Sequence, residues 1–125
     1  MIRALLCVML LAFPFSLTAH EMLPTYPKFT PSFIEGLYKT NIRMFNKRSD
    51  VEYYEVSVWD EEWNPIPFAT SSSVLKIPHL GKVQFDLYVR KKDLNSVEYI
   101  CSMSKLKKEN ITRTSVATRV CSRVK

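Results

Sequence analysis

Apolar and polar residues alternate one by one along three segments of the chain, and this period of two limits the fold more than any other feature. In Lys82–Arg90 (KVQFDLYVR) every second residue is Val, Phe or Leu, and Leu37–Asn46 and Val51–Asp60 repeat the pattern. Successive side chains of a strand point to opposite faces of a sheet, so each segment is typical of a strand with one buried face. No segment shows the 3.6-residue period of an amphipathic helix.

Shorter β segments, separated by prolines and polar turns, fill the remainder of the chain. The residue patterns predict an extended edge segment over Leu23–Pro31, short strands over Val74–Ile77 and Val97–Met103, and a last strand over Ser115–Val124. Lys91–Ser96 has the composition of a turn. We therefore expect an all-β fold, an immunoglobulin-like antiparallel β-sandwich of about seven strands with Greek-key connections.

The N-terminal segment has the composition of a secretory signal peptide. An apolar run, Ala4–Phe15, follows a basic residue. It leads into Ser16–Ala19, whose small residues are typical of a signal-peptide cleavage site. The run is shorter than the roughly 20 residues that a helix needs to span a bilayer, and no second apolar run follows. We expect residues 1–19 to be a signal peptide and residues 20–125 to be one domain without a transmembrane span. The expected location is periplasmic or secreted.

Two cysteines remain after the signal peptide, and they favour a disulfide. Cys101 lies in a predicted strand and Cys121 lies in the last predicted strand. An oxidising compartment allows the bond, and two cysteines permit a single pairing. A bridge across the hairpin of the last two strands would stabilise the fold by about 3 kcal/mol. A metal site at these residues would need further ligands that the neighbouring sequence does not offer.

Positive charge is concentrated at the C-terminal end. Lys105–Lys125 holds seven basic residues against Glu109, and the whole chain has a net charge of +6 at pH 7. An edge strand can bind a partner by adding a strand to its sheet, so Arg119, Arg123 and Lys125 are candidate contacts. Export argues against nucleic acid as the partner. The alternative interpretation is a solvated edge strand kept soluble by its charge.

Two tryptophans form a second candidate surface. Alternation places Trp59 on the outward face of its strand, and Trp63 follows the acidic loop Asp60–Glu62. Exposed aromatic side chains can bind a protein or a glycan, whereas packing in the core or the loop is the alternative. Catalytic carboxylate pairs usually come from separate strands, and the sequence holds no hydrolase, P-loop or metalloprotease motif. We therefore predict a protein that is not an enzyme and needs no cofactor.

The two histidines are the remaining candidates for chemistry. Cleavage after Ala19 would make His20 the mature N-terminus, whose amino and imidazole nitrogens together can bind one copper ion. His79 is the candidate for a third nitrogen ligand. It lies in a predicted turn that no pattern places near His20, and an N-terminal histidine also arises by chance. Copper binding is therefore the alternative hypothesis.

Three motifs in a fixed order resemble a known family. Leu37–Asn46, then Tyr54–Asp60 (YEVSVWD), then Val74–Pro78 (VLKIP) are similar to the first domain of the PapD-like periplasmic pilus chaperones. The likeness covers residues 33–103. Those chaperones lend a strand to a pilus subunit, so the resemblance implies the sandwich fold, the periplasm and a chaperone-like activity.

Together these observations lead to one main hypothesis. The chain is an exported, non-enzymatic, chaperone-like binding module of the bacterial envelope, encoded by a bacterium or by its phage. Its expected partner is an envelope or virion protein, bound at the edge formed by Ser115–Lys125. The alternative is a periplasmic copper-binding protein that uses His20.

Overall fold

Two antiparallel sheets make up the computed structural model, which describes residues 19–105 and 117–124. The strands within these residues are β1 (Glu21–Leu23), β2 (Thr30–Pro31), β3 (Leu37–Phe45), β4 (Tyr53–Trp59), β5 (Val74–Lys76), β6 (Lys82–Arg90), β7 (Tyr99–Lys105) and β8 (Arg119–Arg123). A 3₁₀ helix, Lys91–Ser96, follows β6 where a turn was predicted. No helix in this part of the chain is long and apolar enough to cross a membrane. The predicted signal peptide up to residue 18, Lys125 and the first residues of the predicted last strand lie outside the described residues.

Each sheet contains four strands. Sheet A consists of β1, β2, β3 and β6, and sheet B has the order β5-β4-β7-β8. β3 and β6 pair over their whole length, from Leu37 opposite Arg90 to Phe45 opposite Lys82. In sheet B, β7 pairs with β4 on one side and with β8 on the other, which leaves β8 at the edge. The predicted all-β, immunoglobulin-like antiparallel sandwich is confirmed.

The alternating pattern supplies both walls of the core between the sheets. Ile42 and Leu87 of sheet A and Tyr54 and Ile100 of sheet B are completely buried. The remaining buried members of the core cluster are Met22, Met44, Val51, Val56, Val58, Ile66, Ile77, Phe85, Val89 and Val97. Burying one large apolar side chain contributes about 1.5–3 kcal/mol, so this cluster supplies the main force that holds the two sheets together.

The N-terminal edge differs from the continuous segment predicted over Leu23–Pro31. β1 ends at Leu23, β2 begins at Thr30, and both pair with the same edge of β3. Pro24 and Pro27 lie between them and lack the N–H donor that a ladder needs. The one predicted segment is therefore two short strands.

Candidate functional site

A disulfide fixes β8 to β7. Cys101 and Cys121 lie directly opposite each other in the register, with Cα atoms 4.1 Å apart and an S–S distance of 2.07 Å. The disulfide predicted from the sequence is therefore present. Cys101 is fully buried and Cys121 is exposed, because Cys121 belongs to the edge strand. Closing a loop of this length stabilises a fold by about 3 kcal/mol, so the bond keeps β8 in place at the margin of sheet B.

The backbone of β8 offers unpaired groups on its outer edge. Thr118 C=O accepts a hydrogen bond from Ser104 N–H at 2.9 Å. The backbone N–H and C=O groups of the even-numbered residues of this strand therefore point towards β7. Hydrogen-bonding direction alternates along an antiparallel strand, so the N–H and C=O groups of Arg119 and Cys121 point away from the sheet. Within the described residues, no hydrogen bond reaches these four groups. Among the residues that the structure describes, the edge is therefore open at both positions.

The far end of the same edge is closed by the N-terminal segment. Arg123 N–H donates to Thr25 C=O at 3.2 Å, in the outward direction that Arg119 and Cys121 leave open. Thr25 follows β1, so the chain between β1 and β2 crosses the end of β8. A strand added to β8 can pair with Arg119 and Cys121 but must stop before Arg123.

A groove of about 560 Å³ lies between β8 and the N-terminal segment. Its lining residues are Ala19, His20, Glu21, Met22, Leu23, Thr25, Lys47 and Val120. Met22 is buried, Val120 is half-buried, and Leu23 is 39% exposed, so part of the groove is apolar. Lys47 and Glu21 form an ion pair of 3.1 Å beside it. This groove can accept apolar side chains of a segment that lies along β8.

Three of the predicted binding residues lie together on the outer face of sheet B. The Trp63 ring stacks on Tyr99 with centroids 4.3 Å apart and planes within 3°, and the Trp59 ring lies 6.3 Å from Trp63. The Arg119 guanidinium lies 5.7 Å from the centre of the Trp59 ring, a cation–π contact. We call Trp59, Trp63 and Tyr99 the aromatic cluster. Arg119 therefore belongs both to the open edge and to the rim of this cluster.

The fourth predicted residue, Arg123, projects from the same face of β8. Its Nε donates to Glu98 Oε1 at 2.8 Å, and this hydrogen bond raises the pKa of the Arg123 guanidinium. The pair is at the surface, where ion pairs contribute little to stability. Lys125, the last of the predicted contacts, lies outside the described residues.

The loop that carries Trp63 holds a bulky residue in the left-handed region. Trp63 has a φ of 64°, which costs a residue with a Cβ about 1–2 kcal/mol. Asp60 maintains the turn, because its carboxylate accepts from Glu62 N–H at 2.9 Å and from Asn64 N–H at 2.8 Å. The turn sets the indole on Tyr99 and leaves Trp63 46% exposed. Asp60 thus acts as a turn-forming residue.

His20 lies inside the sandwich. The residue is 3% exposed, and its ring centroid lies 4.4 Å from that of Tyr54. Nε2 lies 2.6 Å from Ser102 Oγ and 3.2 Å from Ser102 C=O, and Nδ1 lies 3.3 Å from Thr118 Oγ1. Burial lowers the pKa of the imidazole, the hydrogen bond that Nε2–H donates to Ser102 C=O opposes this shift, and the charge of Arg48 lowers the pKa further. Both ring nitrogens therefore have partners within the protein.

His79 is exposed in the turn that precedes β6. The next residue anchors this turn, because Leu80 N–H donates to Asn46 C=O at 2.7 Å. In the described part of the chain, no three His, Cys, Asp or Glu side chains are grouped so that they could hold a metal ion. Copper binding by His20 and His79 stays a prediction, and the geometry adds no observation in its favour.

The sequence pattern did not predict the buried polar network that lies beside His20. Asn46 is completely buried, and its Nδ2 donates to Val51 C=O at 2.7 Å and to Ile77 C=O at 2.8 Å. Tyr54 OH donates to Asn46 Oδ1 at 2.5 Å, and burial raises the pKa of Tyr54 to about 12. The alternation of buried residues along β3 could have predicted the burial of Asn46. Asn46 lies two residues after the buried Met44 and therefore falls on the same, inward face.

Arg48 extends the network towards β8. Its Nε and Nη2 donate to the two carboxylate oxygens of Asp50 at 2.9 and 2.6 Å, and its Nη1 donates to Thr118 Oγ1 at 3.3 Å. The hydrogen bond with Arg48 lowers the pKa of the Asp50 carboxyl. The Arg48 side chain is only 6% exposed, so its charge is stabilised by this paired geometry. Thr118 therefore contacts both Arg48 and His20 at the start of β8.

Comparisons with known proteins support the fold. No family model and no curated protein matches the sequence. The crystal structure of the E. coli chaperone DraB matches with a TM-score of 0.62 at 12% sequence identity, over 85% of this chain. The chain spans about half of that protein, since the match covers 53% of the DraB chain. The similarity fits the resemblance to the PapD-like periplasmic pilus chaperones and shows that the two proteins share a fold.

Proposed function

We propose that the chain is an exported, non-enzymatic binding module of the bacterial envelope, which binds an extended segment of a protein partner at the edge of β8. The open N–H and C=O groups of Arg119 and Cys121 carry this proposal. Unpaired groups at a sheet edge are a template for an added strand, and the disulfide holds that template in position. The partner is an envelope protein, or a virion protein if the chain is phage-encoded.

The setting of this function rests on separate observations. The apolar N-terminal run, the disulfide and the fold shared with the chaperone DraB support an exported, chaperone-like protein. In a strand added to β8, alternate side chains lie beside Val120 and the groove, and the others lie beside Arg119. We therefore expect a partner segment with apolar residues on one face and acidic or aromatic residues on the other.

The test removes one outward donor without removing an internal one. Arg119→Pro deletes an N–H that has no partner within the described residues, and prolines are tolerated on sheet edges. Short extended peptides selected by display against the exported protein serve as probes. We expect Arg119→Pro to weaken their binding about tenfold, because one hydrogen bond is lost and its acceptor on the peptide stays unpaired.

Arg119→Ala is the matched control, since it removes the side chain and keeps the N–H. The selected peptides should bind this variant more tightly than Arg119→Pro, and they should slow amide exchange at Arg119 and Cys121. Unchanged binding to Arg119→Pro, with a native unfolding curve, would show that the peptides do not add a strand to β8 and would overturn the proposal.

A further inference from the structure

The loop between β2 and β3 presents two adjacent apolar side chains to solvent. Phe33 is 102% exposed and Ile34 is 61% exposed, so neither contributes to the core. We call this pair the Phe33–Ile34 tip. It lies at the end of the sandwich where β3 begins, and none of its residues lines the groove beside β8. Adjacent exposed apolar side chains form a candidate surface for contact with a partner or a membrane.

Hydrogen bonds hold the tip in one conformation. Ser32 N–H donates to Leu37 C=O at 3.0 Å, and Leu37 N–H donates to Ile34 C=O at 3.2 Å. Gly36 supplies the left-handed residue that closes the turn, with a φ of 82°. Gly36 C=O accepts from Lys91 N–H at 2.8 Å, which ties the loop to the start of the 3₁₀ helix. The apolar pair is thus already fixed in the exposed position.

Positive charge surrounds the tip. The Lys39 Nζ lies 5.5 Å from the centre of the Phe33 ring. Lys91 and Lys92 are exposed beside the anchoring bond to the loop, and the carboxylate of Glu35 is the acidic group within the loop itself. An apolar tip with lysines at its base has the composition of a segment that lies in the interface of an anionic membrane.

We propose that the Phe33–Ile34 tip inserts into the surface of an anionic phospholipid bilayer, with the surrounding lysines on the lipid phosphates. Arg90 and Asp93 nearby form an ion pair of 2.8 Å and cancel each other, so the lysines determine the local charge. A second copy of the chain fits this end of the molecule less well, because a two-fold contact would bring the lysines of both copies together. Two side chains give shallow, reversible attachment.

Vesicle sedimentation tests the proposal with the exported protein, after mass spectrometry has shown that the apolar N-terminal run is absent. The probes are vesicles of phosphatidylglycerol with phosphatidylethanolamine, and vesicles of phosphatidylcholine. We expect binding to the anionic vesicles that falls with added salt. Phe33→Ser should lower the partition coefficient about tenfold, the equivalent of one buried aromatic side chain. Lys91→Gln with Lys92→Gln should lower it on anionic vesicles.

Leu80→Ser is the control, since Leu80 is 62% exposed but lies in the turn before β6, at the other end of the sandwich. This variant should bind vesicles like the parent. The proposal is overturned if Phe33→Ser binds anionic vesicles as tightly as the parent does. It is equally overturned if sedimentation velocity shows a dimer that Phe33→Ser converts to a monomer, because the tip would then be covered by a second copy.

Discussion

The polar network around Asn46 and the outer edge of β8 differ in whether their hydrogen-bonding groups have partners. In the network, Asn46 and Tyr54 bind each other and the surrounding backbone, and no buried side-chain nitrogen or oxygen of the described residues lacks a partner. On the edge, the backbone groups of Arg119 and Cys121 have none within the same residues. Among the described residues, the network therefore satisfies its polar side chains internally, whereas the edge of β8 leaves backbone groups available to a partner.

The two regions meet at Thr118. Its hydroxyl contacts His20 and Arg48, and the next residue, Arg119, begins the open edge. Buried hydrogen bonds are costly to break, whereas groups exposed to water at an edge are solvated and cost little. The comparison therefore predicts that substitutions in the network lower stability and that substitutions at the outer surface change stability only slightly.

The largest effect on stability is expected for Asn46→Ala, which removes the central side chain of the buried network. The change leaves Tyr54 OH and the carbonyls of Val51 and Ile77 without their partner, and each such loss costs about 1–3 kcal/mol. We expect the free energy of unfolding in urea to fall by about 4 kcal/mol. Asn41→Ala is the control, because Asn41 is exposed, and a similar loss there would contradict the contrast.

An intermediate effect is expected from the protonation of His20. Its pKa in the folded state lies below the ordinary value of 6.5, so the unfolded state binds the proton more readily. Stability is then fully present above pH 6.5 and declines as the pH falls through the folded-state pKa. Urea midpoints between about pH 8 and pH 5 measure this slope. His20→Gln should flatten it, and an equally steep slope in that variant would assign the effect to other groups.

The smallest effect on stability is expected for Trp63→Asn, a substitution on the outer face of sheet B. Asparagine tolerates the left-handed conformation better than tryptophan does, but the variant loses the stacking on Tyr99. Stacking contributes about 0.5–1.5 kcal/mol, so the two changes nearly offset and unfolding should shift by less than about 1 kcal/mol. Trp63→Ala keeps the strain and loses the stacking, so it should be the less stable of the two.

The fold was predictable because its signals are local. The alternation in Lys82–Arg90 predicted the bounds of β6, and the two cysteines beyond the predicted signal peptide permitted a single disulfide. The strands near Leu23–Pro31 were only partly predicted. The sequence pattern does not specify which of the short segments between the prolines form hydrogen bonds with β3.

The candidate site was less predictable, because its properties arise between distant residues. The alternative hypothesis for His20 was copper binding at a mature N-terminus, and the sequence did not predict that its neighbours are Ser102 and Tyr54, far along the chain. The stacking of Trp63 on Tyr99 likewise depends on a turn geometry that composition does not specify. The identity of the open positions on β8 depends on the register with β7, which no local pattern fixes.

The bond between Arg123 and Thr25 has a consequence for the behaviour of the protein at high concentration. A two-fold antiparallel contact centred on Cys121 would set Arg119 of one copy opposite Arg123 of another, where the N–H is already taken and the charges repel. A contact centred on Arg119 would set like guanidinium groups face to face. Pairing of two copies through β8 is thus discouraged at the same strand that stays available to a foreign segment.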